Sequence, residues 1–93
     1  MTDRDAQARR AKLSELNAKE IQQAIFKLVR VAARCEVMLA DTPDDGHRLA
    51  QREMAEQAVV ALGVVRDKIE KCAAFERAHL EAIDANAGVD LSE

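Results

Sequence analysis

The sequence predicts an all-α fold, an antiparallel hairpin of two long helices, and three observations carry that prediction. The 93 residues include three Gly and one Pro, too few to supply the turns of a multistranded sheet. Aromatic residues make up 2% of the chain, with no Trp or Tyr, whereas strands draw on β-branched and aromatic side chains. Apolar residues also recur at alternating three- and four-residue spacings over many turns, which marks a helix with one buried seam.

The first helix is expected over about residues 3–40. It opens at Thr2 or Asp3, where Asp3 and Asp5 place negative charge against the helix N-terminus. No Gly or Pro interrupts it before Pro43. Its seam runs through Ala11, Ser14, Ala18, Ile21, Ile25, Leu28, Ala32, Cys35 and Leu39. The segment Thr42-Pro43-Asp44-Asp45 then reads as a fresh start, with Thr42 as N-cap, Pro43 at the first helical position and Asp45 at the third.

The second helix is expected over about residues 43–85. Its predicted seam is Ala55, Ala58, Leu62, Val65, Ile69, Cys72, Glu76, His79 and Ile83, and it fades at Asn86-Ala87-Gly88. Residues 1–86 are therefore expected to form a single helical-hairpin domain, and 87–93 a flexible C-terminal tail. So short a connection makes the helices antiparallel, with partner residue numbers adding to about 83–85, so that Ile21 meets Leu62 and Ile25 meets Ala58. Cys35 then lies near residues 48–50 and Cys72 near 11–13, too far apart for a disulfide within one hairpin. Both cysteines read as small buried hydrophobes in a reducing compartment.

One seam does not account for all the apolar residues. From Ala24 to Ala40 every residue except Lys27, Arg30, Arg34 and Glu36 is apolar. Around the stripe centred on Ile25, Phe26, Ala33 and Val37 fall to one side and Val31 and Met38 to the other, while Val60 and Val64 point away from the second seam. A single hairpin would expose a large apolar patch, which soluble monomers rarely do. The pattern predicts a homodimer, two hairpins forming a four-helix bundle, with Phe26, Val31, Val37, Met38, Val60 and Val64 at the interface. Gly63, costly by about 1 kcal/mol in a helix interior, is expected to mark a close helix approach.

Charge narrows the partners. Fourteen basic against seventeen acidic residues give a net charge of −3, so no general positive field exists to hold nucleic acid or an anionic membrane. Neither partner is expected. The longest apolar run, Ala58–Val65 with Gly63 inside it, is too short to span a bilayer. No basic, apolar leader opens the chain either, and a cytoplasmic location is expected.

Three groups of side chains are candidates for function. Glu76 and His79, three apart on an inward stripe, have the spacing by which carboxylate-bridged di-iron bundles hold metal, with Cys72 one turn earlier. The facing carboxylates that such a site needs reduce to Asp3 and Asp5 at a helix terminus, so no metal or cofactor is assigned and the pair stands as an alternative. Lys27, Arg30 and Arg34 repeat along one face, a docking ridge for an acidic protein as well as the solvated face that any bundle helix needs. No aromatic residue interleaves with them to stack on bases. Asp41, Asp44 and Asp45 place a cluster of the opposite sign at the turn, a second docking candidate. No catalytic residue is assigned. A Cys–His pairing near Cys35 lacks an orienting third group, and no Gly-rich loop could cradle phosphate.

Two local resemblances bear on these candidates. The turn Pro43-Asp44-Asp45-Gly46-His47-Arg48-Leu49-Ala50-Gln51 resembles the tip of DksA-type polymerase-binding coiled coils. That resemblance implies a hairpin whose Asp41 and Asp44 enter RNA polymerase, but the family's zinc module is missing because Cys72 has no Cys-x-x-Cys partner. Arg10-Ala11-Lys12-Leu13-Ser14-Glu15-Leu16-Asn17-Ala18-Lys19 resembles the opening helix of the all-helical chorismate mutases, which are intertwined dimers, and would make Arg10 a catalytic arginine. The rest of that family's set is broken. Lys27 stands at its second arginine, Met38 at its lysine, and Ala50 and Gln51 at its Arg-Glu pair, and the third helix is missing.

The function expected from the sequence is thus non-enzymatic: a small protein-protein interaction module, an adaptor, regulator or inhibitor, acting as a homodimer on an unidentified protein partner. The alternatives are a metal-binding bundle built on Glu76 and His79, and a hairpin-tip regulator of RNA polymerase.

Overall fold

A computed structural model describes the backbone of residues 2–92 and the side chains of residues 2–86. It is all-helical, with α1 over Asp3–Asp41 and α2 over Gly46–Ser92. Among the described residues there is no strand, and no helix is long and apolar enough to cross a membrane. The tail expected over 87–93 falls outside the residues whose side chains are described.

The start of α1 follows the sequence reading. Thr2 Oγ1 accepts the backbone N–H of Asp5 at 3.1 Å, and Thr2 O accepts that of Ala6 at 3.1 Å, so Thr2 is the N-cap. Asp3 and Asp5 occupy the first turn, where their charge opposes the helix dipole.

The turn differs from the expectation. Thr42 does not cap α2: its N–H and its hydroxyl both donate to Met38 O, at 3.0 and 2.8 Å, and so close α1. Asp45 N–H donates to Thr42 O at 3.1 Å, which places Pro43 at the second position of a four-residue turn. No residue there has positive φ, so the turn is of the type I class, in which proline favours that position. Asp45 is the N-cap of α2. Its Oδ1 accepts the N–H of Arg48 at 3.1 Å, and its carbonyl that of Leu49 at 3.0 Å. Proline suits a turn and a first helical turn equally, and the aspartate that follows decides between them.

The chain divides into two compact units, one of residues 1–19 with 67–93 and the other of residues 20–66. In the second, the two helices pair antiparallel about the turn. Arg66 Nη1 donates to Gln22 Oε1 at 2.7 Å, and Cys35 Sγ lies 3.9 Å from Gln51 Oε1. These pairs add to 86–88 rather than the expected 83–85, because α2 begins three residues after Pro43. Ile25, Cys35, Leu39 and Ala55 are buried there.

In the first unit the helices again run antiparallel. Ala11, Ala18, Ala73 and Leu80 are buried, together with the amide of Gln7. Gln7 Nε2 donates to Glu76 O at 2.9 Å and its Oε1 accepts from Arg10 at 3.3 Å, while Ser14 Oγ donates to Glu76 Oε1. The bridge from Arg4 Nε to Asp84 Oδ1, 2.7 Å, is exposed. Its hydrogen bond, and then its charge, raise the Arg4 guanidinium above its ordinary value. That range is already strongly alkaline, so the Arg4 shift brings no pH dependence near neutrality.

Every predicted seam residue of α1 is buried or half-buried. On α2 the prediction holds only at alternate positions. Ala55, Leu62, Ile69, Glu76 and Ile83 lie on the seam, but the residues between them are Val59, Arg66, Ala73 and Leu80. Val65, Cys72 and His79, each one residue too early, are exposed, and Ala58 is half-buried beside Val59. The corrected spacing is still a regular alternation of fours and threes. Arg66 fits this phase, because its aliphatic stem can lie along the seam while the guanidinium reaches Gln22. Gly63 has nothing within 4 Å of the position a Cβ would take, so it marks no close approach among the described residues.

Candidate functional site

Two paired helices can cover only one side of each other, and the unit of residues 20–66 carries apolar residues on more than that side. Outside the seam, Phe26 is 56% exposed and Val37 and Val60 are each 71% exposed. Val29, Met38, Met54, Val64 and Val65 are also exposed. Of the six residues expected at an interface, Phe26, Val37, Met38, Val60 and Val64 are therefore open to solvent. Val31 is half-buried and lines a cleft of about 200 Å³ with Arg34, Cys35, Met38, Arg48 and Gln51. No large side chain among the described residues is fully buried.

Lys27 and Arg30 are exposed and make no hydrogen bond or ion pair among the described residues, and Arg34 edges the Cys35 cleft. At the turn, Asp41 and Asp44 are exposed, whereas Asp45 is half-buried by its capping role and lies 3.8 Å from Arg48. The acidic tip thus reduces to two free carboxylates and one structural one.

The pair proposed for metal separates by environment. Glu76 is half-buried and engaged by Ser14, and His79 is exposed beside the seam residue Leu80. Cys72 and Asp5 are also exposed. Among the described residues no group of three or more His, Cys, Asp or Glu is placed to hold a metal ion.

A second apolar surface lies in the unit of residues 1–19 and 67–93. Leu13 and Leu16, 59% and 47% exposed, sit beside Ala8 in an open groove of about 530 Å³ rimmed by Arg9, Lys12 and Arg77. An adjoining hollow of about 130 Å³ brings Lys19 and Glu15 to the same rim. Arg77 is hydrogen-bonded to Glu15, which neutralises that carboxylate. Arg9, Lys12 and Lys19 have no partner among the described residues. The sequence reading did not single out this face. Its signal was present as leucines at positions 13 and 16, off the seam of Ala11, Ser14 and Ala18 and surrounded by Arg and Lys.

Comparisons with models of protein families, with curated proteins and with solved structures find no match for this chain.

Proposed function

We propose that the chain is a non-enzymatic protein-interaction module that acts as a homodimer, two hairpins joining through the apolar sides of residues 20–66 in a four-helix bundle. The observation that carries this reading is the uncovered set Phe26, Val37, Met38, Val60 and Val64. Fully burying one such side chain stabilises by about 1.5–3 kcal/mol, so several together can exceed an association cost of about 4–15 kcal/mol.

Light scattering on the eluting protein at micromolar concentration should give twice the 10.3 kDa chain mass. Val60→Glu should return it to one chain with its helicity intact, because Val60 is exposed within its own hairpin and only a second copy would bury the new charge. A single-chain mass for the unaltered protein overturns the dimer.

A further inference from the structure

We infer that the Leu13–Leu16 groove is a docking site for an acidic amphipathic helix of a partner protein. This deepens the interaction-module reading by naming the partner's chemistry. The groove combines two properties. Its floor, Leu13, Leu16 and Ala8, is apolar, and its rim carries Arg9, Lys12 and Lys19 without partners among the described residues. The carboxylate at the rim, Glu15, is spent on Arg77. A chain of net charge −3 therefore presents a locally positive, apolar-centred surface. The complementary ligand has apolar side chains on one face and carboxylates beside them.

Geometry selects a helix. From Ala8 to Lys19 the surface follows α1 for about 16 Å at 1.5 Å per residue, or three turns, the reach of a partner helix anchored at i, i+3 and i+7. The groove has a volume of about 530 Å³. It is open along one side rather than closed around a small molecule. Nucleic acid fits poorly, since the floor between the cations is apolar and no aromatic residue lines the groove to stack on bases.

The test uses the full chain and a fluorescein-labelled designed peptide with Leu at i, i+3 and i+7 and Glu at most other positions. A permuted peptide of identical composition and vesicles containing phosphatidylglycerol serve as the other arms. Anisotropy should show saturable binding of the amphipathic peptide only, weakened severalfold when salt rises from about 0.05 to 0.3 M. Arg9→Glu with Lys12→Glu should weaken it about tenfold, as expected for two reversed rim charges. Leu13→Ser with Leu16→Ser should weaken it at least fivefold at unchanged helicity, since both leucines are exposed. Equal binding of the permuted peptide, binding to vesicles alone, or indifference to both double variants overturns the inference. Chain mass measured on the same samples separates the two readings: a dimer that ignores the peptide removes only the docking site, and a monomer that binds it removes only the dimer.

Discussion

Asp45 shows how one side chain fixes an element boundary. Its carboxylate takes the Arg48 N–H, so α2 starts at Gly46 and the helix pairing of residues 20–66 shifts with it. Asp45→Ala should cost about 1 kcal/mol and lower the melting temperature by about 4–8 °C, followed by circular dichroism. Thr42→Ala should cost less, because its hydroxyl only adds to a carbonyl that the Thr42 N–H already satisfies. The opposite ranking would restore Thr42 as the cap. The sequence named Thr42 as the cap and put Asp45 at the third helical position. Residue type alone does not rank them, because either aspartate or threonine satisfies a helix N-terminus and the proline between them fits both arrangements.

Among the elements, α1 was legible throughout and α2 only in part, and the reason lies in single residues. Each α1 seam position that the sequence singled out holds a small or aliphatic residue, and each is buried or half-buried, so spacing and burial agree. In α2, Val65 precedes Arg66 and Cys72 precedes Ala73. Hydropathy chooses the valine and the cysteine, but packing takes the arginine stem and the alanine. Ala73→Glu should therefore destabilise by about 3 kcal/mol through a buried charge, whereas Cys72→Glu should leave the melting temperature within a few degrees. Equal losses would mean that the phase of the helix is misplaced. Gly63→Ala supplies a second test, since the space beside it is open. It should stabilise by about 0.5–1 kcal/mol; a lower melting temperature would point to a second chain filling that space.

At the scale of the whole molecule, the candidate surfaces were legible where composition alone demanded them. The apolar excess of residues 24–40 pointed to residues 26, 37 and 38, and all three are exposed. The Leu13–Leu16 groove was not so legible, because its leucines stand singly among charges and only their placement beside Arg77 of the other helix makes a surface of them. An obligatory dimer links folding to mass action, so the melting temperature should rise with protein concentration over a hundredfold range. A concentration-independent midpoint would identify a chain that folds alone. The small net charge of −3 offers little repulsion against such pairing.

The shift of the α2 seam by one residue also leaves the two thiols in opposite situations, Cys35 shielded and Cys72 open. The chain is thereby supplied with a built-in attachment point for a reporter. A nitroxide reagent should modify Cys72 within minutes and Cys35 only on unfolding, and pulsed dipolar spectroscopy would then read the spacing between labels in the unaltered sequence. Two hairpins side by side would give one narrow distance, a mixture of alignments several, and a solitary chain no dipolar modulation.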